Sequence, residues 1–164
     1  LTPVALLNTH LHFDHIYGNK FILETYGLKT YASPKDQFFI DTFIDQLNIF
    51  QMPADEQAPE IGTKIKEGDV IEIGSIKLQV IETPGHSAGS VCFYAKEQNV
   101  CFTGDTIFKQ SVGRTDFPTG SQREIMESIT GKLLRLPDDT ILYPGHGEST
   151  NVAWEKLNNP YLEY

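Results

Sequence analysis

The sequence predicts an α/β domain, on three observations. Short apolar runs alternate with amphipathic stretches along the whole chain, the interleaving expected of strands and helices packed in layers. The residues between them are the Gly, Pro, Ser and Asn of strand ends and helix caps. The histidines and several aspartates fall just past predicted strands, in loops containing Gly or Pro, where a rigid scaffold usually assembles a site. With 164 residues, 40% of them hydrophobic, the chain can build one core and is short for two, so 1–164 reads as a single domain.

Taken in order, Val4 to Asn8 is an apolar run between Pro3 and a His/Asp cluster, the mark of a short buried strand. His15 to Tyr26 carries Ile16, Phe21, Ile22 and Leu23 and reads as a helix closed by Gly27. Lys29 to Ala32 is a second short strand. Ser33 and Pro34 then open another helix, Ser as N-cap and Pro at the first position, with Phe38, Phe39, Phe43, Ile44 and Leu47 along one side. Pro53 and Pro59 mark a loop. From Thr63 the period becomes two: Ile71, Ile73, Ile76, Leu78 and Val80 alternate with polar residues, and Gly74-Ser75 is a turn. Val91–Tyr94 and Val100–Phe102 form a hairpin around Lys96–Asn99. Ser121 to Leu136 is helical, with Ser121 and Glu124 in capping-box spacing. Ile141–Tyr143 is a last strand before Pro144-Gly145-His146-Gly147.

The net charge of −9 argues against nucleic acid or an anionic membrane as partner, because either needs a basic face. No apolar run approaches the roughly 18 residues of a membrane span, and no signal-peptide pattern opens the chain. Cys92 and Cys101 sit in apolar stretches and read as buried, reduced thiols. Two cysteines make no disulfide framework, so a reducing, cytoplasmic location is expected. The chain starts at Leu1 and enters a strand almost at once, from which upstream residues are expected to be missing.

Thr9-His10-Leu11-His12-Phe13-Asp14-His15 puts four potential metal ligands in six residues. Neutral imidazole and carboxylate suit Zn²⁺, Fe²⁺ or Mn²⁺. His86, Asp105 and His146 raise the set to seven, more than the four that one tetrahedral zinc takes. The surplus points to two cations about 3.5–4 Å apart, bridged by a carboxylate. All five histidines of the protein belong to the set, and two of them follow a Pro-Gly turn, at Pro84-Gly85-His86 and Pro144-Gly145-His146.

The motif Thr-His-x-His-x-Asp-His at 9–15, followed by His86, Asp105 and His146 in that order, resembles the metallo-β-lactamase superfamily. Within it, Gly104-Asp105-Thr106-Ile107-Phe108, Val112-Gly113-Arg114-Thr115-Asp116-Phe117-Pro118 and Asn159-Pro160-Tyr161-Leu162 look like the short glyoxalase II-type (hydroxyacylglutathione hydrolase-like) hydrolases. The resemblance runs from about Val4 to the C-terminus. It implies that His10, His12 and His86 hold one metal, that Asp14, His15 and His146 hold a second, and that Asp105 bridges them. Zinc is the first expectation, with iron or manganese as alternatives. The implied fold is an αββα sandwich. Family members have a further stretch before the first histidine motif that supplies opening strands. This chain lacks it, so a sandwich without its N-terminal strands, exposed at one sheet edge, is expected.

The resemblance implies hydrolysis of a thioester of a small thiol, of the S-lactoylglutathione type. Asp14 is the expected catalytic group, placed to orient water or shuttle a proton. Lys109 and Arg114 are candidates to meet a substrate carboxylate, though Arg114 can equally pair with Asp116. Tyr143, Trp154, Phe38 and Phe39 read as core or rim. Two other functions fit the same ligands: a persulfide dioxygenase with one iron on His10, His86 and Asp105, and a non-catalytic metal-binding module. A β-lactamase fits less well, since the zinc β-lactamases nearest this pattern generally have Cys where this chain has Asp105. The sequence leaves the oligomeric state open.

Overall fold

Side-chain alternation in the central strands sets the layering. In Val91–Ala95, residues Val91, Phe93 and Ala95 face one apolar cluster, while Cys92 and Tyr94 face another. Both faces of this strand are therefore buried, and the strand lies inside a stack of layers. The computed structural model describes residues 2–54 and 58–162; Leu1 and part of the loop between Pro53 and Pro59 lie outside the described residues.

The first sheet is parallel and three-stranded, in the order β1 (Leu6–Leu7), β2 (Thr30–Ala32), β3 (Thr63–Lys64). Helices α1 (Phe13–Ile16) and α2 (Asn19–Tyr26) connect β1 to β2; α3 (Gln37–Asp41) and α4 (Phe43–Ile49) precede β3. The second sheet contains β4 (Val70–Ile73), β5 (Ile76–Glu82), β6 (Val91–Ala95), β7 (Val100–Gly104), β10 (Ile141–Pro144) and β11 (Thr150–Asn151), in the order β11-β10-β7-β6-β5-β4. Between β7 and β10 run the small hairpin β8 (Ile107–Phe108) and β9 (Ser111–Val112) and helix α5 (Gln122–Gly131); α6 (Val152–Asn158) follows β11.

Three apolar clusters fill the three spaces between four layers. Leu11, Ile16, Ala32, Phe39, Phe43 and Leu47 lie between the first sheet and its helices. Val80, Val91, Phe93 and Ala95, with Leu7 and Tyr31, lie between the sheets. Cys92, Cys101, Ile125, Ile129, Leu133 and Val152 lie between the second sheet and α5 and α6. This is the αββα sandwich. Both cysteines are free and buried, as expected.

Several expected elements differ in detail. The helix read over His15–Tyr26 is two helices, broken at Tyr17 and Gly18, and it begins two residues earlier. Its anchor is polar: Asn19 donates to Asn8 Oδ1 at 2.8 Å, Asn8 donates to the His15 carbonyl at 3.1 Å, and Phe21 stays exposed. The helix opened by Ser33 starts as a 3-10 turn, Pro34–Asp36, and breaks again at Thr42, whose hydroxyl bonds back to the Phe38 carbonyl. Only Leu6–Leu7 of the first apolar run pairs as a strand. The helix from Ser121 ends at Gly131, and a 3-10 turn continues to Arg135.

Among the described residues β1 is an edge strand with β2 as its neighbour. Beside it the inner face of β7 and β10 is open. Phe102 and Tyr143 stack there at 5.6 Å, both around 40% exposed, at 44% and 41%. No helix among the described residues is long and apolar enough to cross a membrane.

Candidate metal centre

Four segments meet at one rim of the sandwich. His10 and His12 lie on extended chain after β1, and His12 is the residue that starts α1, so the single turn Phe13–Ile16 carries Asp14 and His15. His86 lies in the β5–β6 loop, Asp105 follows β7, and His146 follows β10. The turns that carry them need glycine for two different reasons. Gly85 has φ 135°, and a β-carbon there would run into the backbone of Ile125 in α5. Gly145 is needed for space, because a β-carbon there would collide with Asp105 Oδ1 and with His15 Cε1 at 2.8 Å.

The side chains converge. His10, His12 and His86 present donor atoms within 4.8 Å of one another, and so do Asp14, His15 and His146. His15 Nε2 and His146 Nε2 are 3.2 Å apart, and Asp14 Oδ2 lies 3.5 Å from the first and 3.2 Å from the second. Asp105 stands between the two sets, 3.4 Å from His15 Nε2 and 3.6 Å from both His86 Nε2 and His146 Nε2. Thr9 Oγ1 is 3.1 Å from His10 Nδ1. The Arg114 carbonyl, 2.7 Å from His86 Nδ1, can only accept, so that nitrogen carries the proton and Nε2 offers its lone pair to the site.

The donor set fits divalent cations. Nε2 of His10, His12 and His86 and Oδ1 of Asp105 are buried with no hydrogen-bond partner. A buried polar atom left unpaired costs about 1–3 kcal/mol, and four converging on one place are explained by cations between them.

The electrostatics agree. Burial, reinforced by the surrounding imidazoles, holds His10 well below the ordinary histidine value, and burial beside His86 lowers His12 to about 3. Both are neutral at physiological pH, so no proton need leave them before a cation binds. Burial also opposes protonation of His15, but the Asp105 carboxylate beside it and the charge of Asp14 outweigh that and raise it. Asp105 is the mirror case: burial disfavours its charge, and His15, His86 and His146 nonetheless hold it below the usual carboxylate value.

A pH dependence of stability follows for the metal-free protein. Below the ordinary histidine value of 6.5, the unfolded chain binds protons at positions 10 and 12 that the folded chain refuses, down to about pH 3 at His12. Stability therefore falls as the pH drops through that window. His15 acts oppositely, its contribution present below 6.5 and lost as pH rises through its raised value, but it is one group against two. The urea midpoint of chelator-treated protein is expected to be lower at pH 5 than at pH 7; an equal or higher midpoint at pH 5 contradicts the burial of neutral imidazoles.

Comparison with known proteins gives the family. The model of the metallo-beta-lactamase superfamily matches residues 1–146. The chain belongs to the metallo-beta-lactamase superfamily. It is 39% identical over 173 residues to an uncharacterised protein of Mycobacterium tuberculosis, covering 99% of this chain and 77% of the relative. It is 35% identical over 160 residues to the hydroxyacylglutathione hydrolase GloC of Haemophilus influenzae, covering 96% of this chain and 75% of that protein. Among solved structures, the BLEG-1 B3 metallo-beta-lactamase superposes with TM-score 0.91 at 35% identity, over 99% of this chain and 78% of that one. TTHA1623 in a di-iron-bound form gives 0.89 at 33%, over 99% and 79%. ETHE1 from Myxococcus xanthus gives 0.78 at 29%, over 98% and 63%. The superfamily fold thus binds divalent metals, and its members include metallo-hydrolases.

The two cations expected to meet substrate are both engaged. Lys109 pairs with Glu148 at 2.6 Å, two residues past His146. Arg114 grips Asp116 through Nε and Nη2, at 2.9 and 2.8 Å, and lies over the Phe117 ring at 4.4 Å. Both pairs are solvent-exposed and so exchangeable. Phe39, read as core or rim, is buried with its ring edge on His12 at 4.3 Å. Phe117 touches His12 and His86, at 5.0 and 5.8 Å between centroids.

Asp36 is the site residue the sequence conceals. It is fully buried and accepts from Leu11 N at 3.1 Å, Ser87 Oγ at 2.8 Å and Gly89 N at 2.6 Å. It thereby ties the His10–His12 loop to the His86 loop. Burial lifts its carboxyl above the ordinary value despite those donors.

Proposed function

We propose that this superfamily member is a thioester hydrolase acting on an S-acylated small thiol of the S-lactoylglutathione type, with two divalent cations, zinc foremost and iron or manganese as alternatives. The observation that carries it is the convergence of two three-donor sets with Asp105 between them. The likeness to a relative named as a hydroxyacylglutathione hydrolase supports the substrate class. In this proposal His10, His12 and His86 hold one cation, Asp14, His15 and His146 the other, and Asp105 both. When bound, the pair supplies Lewis acidity, acidifying water and polarising the carbonyl. Asp14, whose side chain is 40% exposed at the mouth, takes up the proton released as water adds to the carbonyl carbon. The C–O bond forms, the C–S bond breaks, and the proton ends on the departing thiolate. Lys109 and Arg114 meet the carboxylates of the thiol by exchanging their present partners. The proposal also places the enzyme in a reducing cytoplasm, with a small-molecule substrate and neither nucleic acid nor membrane as partner.

The likeness to ETHE1 and the clustering of His10 and His86 around Asp105 favour a second reading, a persulfide dioxygenase with one iron on two histidines and a carboxylate. Emission spectrometry of the purified protein, followed by assays with S-lactoylglutathione, a persulfide under oxygen and a β-lactam, separates the readings. Two metals with thioester turnover is the expected result. One iron with oxygen uptake supports the dioxygenase, β-lactam turnover alone a lactamase, and metal without any turnover a binding module; each of these overturns the thioesterase.

A further inference from the structure

Beside His12, His86 and Asp105 opens a cavity of about 440 Å³. Its walls are aromatic and aliphatic: Phe13, Phe38, Phe39, Ile49, Phe50 and Phe117. The rings brace one another, Phe13 stacked on Phe50 at 4.5 Å and Phe38 edge-on to Phe39 at 5.3 Å. The charged groups lining it are the candidate ligands and Asp45, and among the described residues it has neither Lys nor Arg. A cavity of roughly 150 Å³ lined by apolar side chains already holds a benzene molecule, so this one has room for a ring beside the reacting carbonyl.

We propose that this cavity is the acyl subsite and selects thioesters whose acyl group carries a bulky apolar substituent, best an aromatic ring, over small hydroxyacyl groups. The inference rests on the thioesterase reading. A thiol arm bearing carboxylates is disfavoured along this wall by Asp45, and no Lys or Arg among the described residues lines it. Lys109 and Arg114, which do not line the cavity, are the cations available to that arm. The carbonyl's other substituent is then left facing Phe39 and Phe117, which already contact the histidines that would activate it.

S-lactoylglutathione and S-mandeloylglutathione differ only in a methyl group against a phenyl ring on the hydroxyl-bearing carbon next to the carbonyl. With metal-loaded protein, kcat/KM for the mandeloyl ester is expected to exceed that for the lactoyl ester by about tenfold or more, since even one methylene in an apolar pocket can change it by that factor. The ratio is expected to shrink towards one in F38A and F50A, both exposed enough for the fold to survive, with the melting curve as the check. In metal-free protein, saturation-transfer NMR is expected to show the ring protons of 2-phenylacetamide in contact, and less contact in F50A. Lactoyl turnover equal to or faster than mandeloyl turnover overturns the acyl subsite and leaves the thioesterase reading standing. Absence of the NMR contact overturns the subsite whatever the chemistry. If neither ester is cleaved, the thioesterase reading falls and the acyl assignment with it.

Discussion

Asp105→Ala is expected to lose thioester hydrolysis by roughly a thousandfold or more and to lower the metal content of the purified protein. The stated cations supply several kcal/mol of transition-state stabilisation, and each 1.4 kcal/mol or so is tenfold in rate. Among the described residues, Asp105 is the single carboxylate within 3.6 Å of histidines from both donor sets. Without it the carboxylate that both donor sets would share is gone, and Asp14 is left as the one carboxylate of the candidate ligands. His15 would also lose the partner that raises its pKa. Emission spectrometry and the lactoylglutathione assay on the same preparation read both effects. Full metal content with normal turnover would remove Asp105 from the centre.

Asp36→Ala is expected to destabilise the protein by about 3 kcal/mol and to weaken metal binding about 10–100-fold, without removing any candidate ligand. The loss leaves two backbone N–H groups and the Ser87 hydroxyl without the acceptor they share. The two loops that Asp36 joins carry His10, His12 and His86, so their spacing loosens together. Asp36→Asn is the sharper variant. Placed where Oδ2 was, its amide nitrogen is a donor and accepts from neither Leu11 N nor Ser87 Oγ, so the variant is expected to show a smaller loss of stability with a comparable loss of affinity. Urea unfolding and competition with a chelating dye measure the two separately; unchanged affinity in both variants would reduce Asp36 to a packing residue.

The candidate ligands were legible in the sequence because their chemistry is rare and concentrated. His10, His12, Asp14 and His15 share one short segment, and the protein keeps no histidine outside the set. The layers were legible where period two holds, as in β4 to β7. Helix continuity was not. The break at Thr42 depends on a hydroxyl turning back to a carbonyl, and that at Gly18 frees α1 to aim Asp14 and His15. Pairings as short as β8–β9 and β10–β11, two residues a strand, are too brief to leave a period-two pattern. Asp36 was hidden for a different reason. Its partners lie 25, 51 and 53 residues away, and a lone aspartate after Ser33-Pro34 looks like an ordinary helix-start residue. Gly145 has the look of an ordinary turn glycine, whereas its role is to leave room for Asp105 and His15.

The seven donors are divided between the halves of the sandwich. His10, His12, Asp14 and His15 follow a strand of the first sheet; His86, Asp105 and His146 follow strands of the second. Cations held there would act as a rivet across the inter-sheet seam, and their binding energy would become part of the cohesion of the domain. At a free concentration a hundred times the dissociation constant, such a ligand adds about 2.7 kcal/mol to the folded state. Metal supply would then govern how long the protein persists in a cell as well as how fast it works, because starvation for the ion and exposure to proteolysis become one event.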